Sequence, residues 1–264
     1  MVNIRDFDAF CFDLDGTVFL GNERLPGAKE LIERLRSNHK KVLFITNSPT
    51  QTRLECRQKL LSLGIEANVE DVLTAPFVSA LFFQKHFPDA HVYIVGEGAI
   101  EEEFHLFSLN ITKNPLEATH VLVGLDRFFT YEKLNLAMMA VRNGAKIIVT
   151  NPDPYCPVPG GVISDTLAIA RAIEVASGQP IFEVIGKPSP FYGERMLELL
   201  NIERERCLII GDRLETDILL GKVNQFQTCL VLTGVASKED VEEKKISPDF
   251  IVENLMVLLN HLDL

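Results

Sequence analysis

The chain has 264 residues, 47% hydrophobic and 24% charged, which excludes disorder and suits one generous domain or a core with a smaller second unit. No run approaches the ~18 uninterrupted apolar residues that a membrane span needs, and 37 acidic against 26 basic residues, a formal charge of -11, leave no basic stripe for nucleic acid. Five cysteines without a Cys-x-x-Cys pair read as reduced thiols, and Asp6 and Asp8 stand where a leader would need its apolar stretch. The expected location is therefore cytoplasmic and the expected partner a small molecule, with neither nucleic acid nor membrane.

In chain order, β-rich runs alternate with segments of helical period, the pattern of α/β units on a parallel sheet. Strands are expected at 7–12, 41–46, 92–95, 121–123, 147–150, 182–185, 207–210, 229–232 and 250–252. Pro26-Gly27 opens a helix running to about Asn38, and Thr50 opens another that ends at Gly64. A helix over 131–142 closes at Asn143-Gly144, and Asp165 is the expected N-cap of 166–176. Two turn-rich seams, 86–90 and 177–180, divide the chain into a core at 1–87 and 181–264 and an inserted α/β unit at 88–180. The alternative is one continuous large sheet.

Chemistry collects at the expected strand ends. Asp13-Leu14-Asp15-Gly16-Thr17 follows the apolar run Phe10-Cys11-Phe12, placing two carboxylates at the carboxyl end of a central strand, where open α/β sheets bind ligands. Gly16 lets the chain turn and bring both toward one site. Carboxylates about 4 Å apart repel by roughly 4 kcal/mol at an effective dielectric near 20, so their convergence needs a cation or a shared proton. A hard divalent ion is the simplest remedy. The pattern recurs where 207–210 runs into Gly211-Asp212-Arg213-Leu214-Glu215-Thr216-Asp217, where 41–45 runs into Thr46-Asn47-Ser48, and where 182–185 runs into Gly186-Lys187-Pro188-Ser189. Each alone has a structural explanation: a helix cap, a solvated lysine, acids favoured by a helix dipole. Together, at four strand ends, they are the residue types that phosphate chemistry requires.

These motifs resemble those of the haloacid dehalogenase superfamily of aspartate-nucleophile phosphohydrolases. All four occur in order: DxDGT at Asp13 to Thr17, Thr46, Lys187, and GDxxxxD at Gly211 to Asp217. An insertion between the second and third motifs and the strings Val149-Thr150-Asn151-Pro152-Asp153 and Gly186-Lys187-Pro188-Ser189-Pro190 look like its NagD-like, para-nitrophenyl phosphatase-like branch. That branch includes sugar-phosphate, phosphoglycolate and pyridoxal phosphate phosphatases. The resemblance covers nearly the whole chain. It departs at Ser48, where many members carry a second Asn, and at Gly160 to Asp165, where relatives often read Pro-Gly-Thr-Gly.

The resemblance implies a doubly wound, Rossmann-like parallel-sheet core with a smaller α/β cap, and a Mg²⁺-dependent phosphatase of small phosphate monoesters working through an aspartyl-phosphate. Asp13 is then the nucleophile, Asp15 the general acid and base, and Lys187 the neutralising cation. Mg²⁺ is expected on the carboxylates of Asp13 and Asp212 and the backbone carbonyl of Asp15, with Asp217 behind them. Thr46, Asn47 and Ser48 are expected to hold phosphoryl oxygens, and the cap to cover the leaving group and exclude water. Asn151 and Asp153 are candidates for substrate or interface contacts, with structural turn-making the equal alternative, and Phe128-Phe129 are expected to pack within the cap or at a subunit contact, with facing a substrate the alternative. The four prolines between Asn151 and Gly161 should stiffen that stretch at the cap-core junction. A phosphotransferase or phosphomutase is the alternative on the same core. A phospho-receiver is disfavoured, because it places its phosphorylated Asp on a middle strand after a separate acidic pair. Core motifs fix the reaction and cap loops its object, so the substrate is not legible, and a homodimer stays open.

Overall fold

The apolar runs read as strands all enter sheets, but two sheets and not one. The protein, a computed structural model describing residues 3–158 and 161–260, divides into two units. One comprises Met1–Thr46, Cys56–Leu73 and Lys187–Leu264; the other comprises Asn47–Glu55 and Thr74–Gly186. No helix among the described residues is long and apolar enough to cross a membrane.

The first unit is built on a six-stranded sheet in the order Phe250–Val252, Gln227–Val231, Cys207–Gly211, Ala9–Asp13, Lys41–Thr46, Val72–Thr74. Ala9–Asp13 runs parallel to both its neighbours, pairing Phe10 with Leu208 and Asp13 with Ile45. All five of its residues are buried, as are those of Cys207–Gly211, so these strands read as unbroken apolar runs and not as alternation. Helices supply the cover. In Ala28–Ser37 the buried residues Ala28, Leu31, Ile32 and Leu35 follow the i, i+3, i+4, i+7 spacing of one helical face. They meet Phe10, Phe12 and Phe44 in the core of this unit.

The second unit has its own five-stranded sheet, in the order Ile181–Val184, Lys146–Val149, His120–Val123, His91–Val95, Asn110–Ile111, with every neighbouring pair parallel. Thr130 and Asp165 cap Tyr131–Arg142 and Thr166–Ser177 by accepting from Lys133 N–H and Thr166 N–H. Within the proline-rich stretch, Tyr155–Val158 pairs antiparallel with Gly161–Ser164 as a two-stranded ribbon. Pro159 and Gly160 of that stretch, the latter also the first residue of the second departure from the family pattern, lie outside the described residues.

The division falls elsewhere than at the expected 87/88 and 180/181. Helix Ala75–His86 belongs to the second unit because Phe83 packs on Phe104 and on His120, with ring centroids 5.3 and 5.4 Å apart. Ile181–Val184 belongs there because it pairs with Lys146–Val149. Asn47–Glu55 joins it through hydrogen bonds from Asn47 Nδ2 to Asp153 Oδ2 and from Arg53 N–H to Glu103 Oε1, both 2.9 Å.

Candidate active site

Two adjacent central strands of the first unit deliver carboxylates at the same end: Asp13 is the last residue of Ala9–Asp13, and Asp212 is the first after Cys207–Gly211. The chain then winds through Leu214–Ile218 and brings Asp217 back against the strand end. This return requires Gly211, since a Cβ there would stand 2.3 Å from the Asp217 side chain. Lys187 lies among these acids with 1% of its side chain exposed. Its Nζ donates to Asp13 Oδ1 and to Asp217 Oδ1, both at 2.6 Å. Asp217 Oδ2 accepts from Arg213 N–H at 3.1 Å, and Asp212 Oδ2 from Val235 N–H at 2.7 Å. Gly16, at φ +91°, folds the loop after Asp13 close to Asp212: a Cβ there would lie 2.6 Å from Asp212 Oδ2, and Thr233 Oγ1 donates to its carbonyl at 2.6 Å.

Oxygens of Asp13, Asp212 and Asp217 lie within 4.8 Å of one another, all three residues buried. Three carboxylates against one ammonium leave two negative charges uncompensated, and the donor set is oxygen only. Such a set fits one hard divalent cation. Asp217 spends both oxygens on protein donors, which makes it the holder of Lys187; Asp13 Oδ2 and Asp212 Oδ1 are left for a cation. Electrostatics agree. Burial, with Asp217 beside it, pushes the Asp212 carboxyl up to about 6, and burial raises Asp13 well above the carboxylate range against the pull of Lys187. Burial works against the Lys187 ammonium, but Asp13 and Asp217 outweigh it and raise its pKa.

Asp15 stands apart from this cluster, with 48% of its side chain exposed and Lys59 Nζ 3.9 Å away. The protein packed around it raises its carboxyl, opposed by Lys59 and then Lys187. Thr46 closes the strand beside Asp13 and is buried; its N–H donates to the phenol of Tyr192 at 3.2 Å.

The remaining expected residues gather in the second unit. Asp153 Oδ2 accepts from Asn47 Nδ2 and from Asn151 Nδ2, both at 2.9 Å, and Asn151 Oδ1 accepts from Thr150 Oγ1 at 2.8 Å. Of the two residues expected at a substrate or an interface, Asp153 bonds Asn47 and Asn151 bonds Asp153. Ser48 Oγ lies 3.4 Å from Thr50 Oγ1. Phe128 is 74% exposed, whereas Phe129 packs on the core of its unit. Glu97, in the Gly96-Glu97-Gly98 turn, grips Arg127 at 2.8 and 2.6 Å. A cavity of about 750 Å³ in the first unit shares no lining residue with the acidic cluster. Its cations bond main-chain carbonyls, Lys40 Nζ that of Phe7 at 2.6 Å and Arg57 Nε that of Ala67 at 3.0 Å. Tyr192 and Thr233 belong to none of the four motifs; for Tyr192 the one signal in the chain is its place three residues after the helix-capping Ser189.

Residues 10–110 match the family model described as haloacid dehalogenase-like hydrolase, and residues 184–258 match one described as HAD-hydrolase-like. The acid sugar phosphatase of Staphylococcus epidermidis is 35% identical over 261 residues, covering 98% of this chain and 100% of that protein. Among solved structures, the 4-nitrophenylphosphatase of Thermotoga maritima superposes with a TM-score of 0.93 at 30% identity, over 98% of this chain and 99% of that one. NagD from E. coli K-12 superposes with a TM-score of 0.86 at 29% identity, over 97% and 98%.

Proposed function

The chain belongs to the haloacid dehalogenase-like hydrolases of the NagD and p-nitrophenyl phosphatase type, and from that premise we propose how its own residues carry out the reaction. It is a phosphatase of small phosphate monoesters. Asp13 attacks phosphorus; the P–O bond to the leaving group breaks as the aspartyl-phosphate forms, and water then hydrolyses that acyl phosphate, dividing one displacement into two. The observation that carries this reading is the buried contact of Lys187 with Asp13, 2.6 Å long and braced from behind by Asp217. A cation fixed there offsets charge on the nucleophile and on the phosphoryl oxygens without having to reorganise.

Asp15 gives a proton to the leaving oxygen and later takes one from the attacking water. Its carboxyl, raised by the protein packed around it, and its half-exposed side chain suit a group that passes a proton to the leaving oxygen and takes one from water. Asp13 and Asp212 would hold Mg²⁺, a hard ion that accepts oxygen ligands and would neutralise the two charges left over at the cluster. Thr46, at the end of the strand beside Asp13, holds a phosphoryl oxygen. The acid sugar phosphatase relative supports sugar phosphates as the substrate class.

The test is hydrolysis of para-nitrophenyl phosphate and a panel of sugar phosphates with Mg²⁺, by wild type and Asp13→Asn. Wild type should turn over both, with the highest kcat/KM on a sugar phosphate, and Asp13→Asn should turn over neither while remaining folded. Near-wild-type turnover by Asp13→Asn would remove the nucleophile assignment.

A further inference from the structure

We propose that Tyr192 is a positioning residue for Thr46, its phenol fixing the strand end that presents a hydroxyl to the phosphoryl group; this rests on the phosphatase reading above. Along Lys41–Thr46, Ile45 is the last residue in register with Ala9–Asp13, so the Thr46 N–H lies beyond that ladder. The N–H donates to Tyr192 Oη at 3.2 Å, and Tyr192 Oη donates to the carbonyl of Leu73, on the neighbouring strand Val72–Thr74, at 2.9 Å. A phenol has one proton to give and lone pairs to accept with, so a single orientation satisfies both bonds. Tyr192 therefore joins the ends of two strands at the residue that touches substrate.

The side chain is 0% exposed, and an unpaired N–H or carbonyl left there has no water to turn to. Placement is set by the turn that also sets Lys187. Ser189 Oγ accepts from Tyr192 N–H at 3.1 Å and starts helix Pro190–Leu200, two residues after the lysine. One short segment thus orients the cation on Asp13 and the phenol under Thr46. Burial raises the phenol pKa, so the proton given to Leu73 is retained at every working pH. A tyrosine serving only as core filling would have no reason to make both bonds at strand ends beside the site.

Tyr192→Phe keeps the ring and removes Oη. A small misplacement of a substrate-holding group costs up to about 100-fold in rate, so kcat on para-nitrophenyl phosphate should fall about 10- to 100-fold. Mg²⁺ affinity, read by calorimetry, should stay within about threefold, since Asp13 and Asp212 are untouched. In a Thr46→Ala background the same substitution should cost less than about threefold, because the hydroxyl it places is gone. In the wild type, amide exchange at Thr46 should be slow. A lower melting temperature with unchanged kcat, rate losses that multiply in the double variant, or exchange at Thr46 as fast as in an open loop would each overturn the proposal. Asp13→Asn is assayed alongside. If it retains turnover, both readings fall; if it is inactive while Tyr192→Phe is unaffected, only the role of Tyr192 falls.

Discussion

His120 should make the second unit acid-labile. It sits on strand His120–Val123 with 7% exposure, its Nδ1 2.9 Å from Thr119 Oγ1 and its buried Nε2 without a hydrogen-bond partner. Phe87 lies tilted against the ring at a centroid distance of 4.4 Å and Phe83 meets it edge-on at 5.4 Å. Burial, helped by the charge of Lys146, pushes its pKa down to about 4. An unfolded histidine titrates near 6.5, so between about 6.5 and 4 the unfolded chain binds the proton that the folded one refuses, and stability falls as pH drops through that window. The interval from 6.5 down to about 4 is worth roughly 3.4 kcal/mol at 1.36 kcal/mol per pH unit, of which the span from pH 7 to 4.5 samples about 2–3. Urea unfolding followed by circular dichroism at pH 7, 6, 5 and 4.5 should show His120→Leu losing about 2–3 kcal/mol less than wild type over that span. Subtracting one protein from the other cancels every other titrating group. Equal pH slopes would refute the reasoning, because the desolvated ring is what the argument needs.

Asp212 acts in the opposite sense. Its carboxyl, raised to about 6, keeps a proton that the unfolded chain has lost, so the metal-free first unit should lose stability as pH rises from about 4 to 6. The same proton competes with Mg²⁺, and calorimetry should find affinity weakening at least about tenfold per unit below pH 6; pH-independent binding there would contradict it. Gly16→Ala must place a methyl 2.6 Å from Asp212 Oδ2 at a φ of +91°, and should cut kcat/KM by more than about 100-fold with a matching loss of Mg²⁺ affinity. Asp153→Ala removes the acceptor of both the Asn47 and the Asn151 amides, and should destabilise the second unit by about 1–3 kcal/mol in urea. Asp15→Asn should lose turnover while calorimetry finds Mg²⁺ binding largely kept, since that side chain stands outside the acidic cluster.

Both buried central strands could be read from the chain because covering a parallel sheet on both faces demands unbroken apolar runs, and Phe10-Cys11-Phe12 and Cys207-Leu208-Ile209-Ile210 supply them. Helix Ala75–His86 was not legible for a related reason. Pro76, Phe77, Val78, Ala80, Phe82 and Phe83 are all buried, so no polar stripe marks a helical period. The seam therefore looked as if it lay at Pro88, whereas the helix packs on Phe104 and moves the division to Thr74.

The amino-acid sequence by itself determined the residue types: Asp13, Thr46 and Asp212 stand at the ends of apolar runs that have to become buried strands, so that carboxylates converge where those strands lie side by side. Only the tertiary structure decided what each polar atom does. Lys187 meets Asp13 across 174 residues, Tyr192 meets Thr46 across 146, and Asp153 meets Asn47 across 106. Local propensity and periodicity act over a turn or a strand, so separations of that length leave no local trace. The order of strands in the sheet selects these partners. That is why Asp217 could be read as one more acid near a cation, when its two oxygens in fact hold Lys187 and the turn at Arg213.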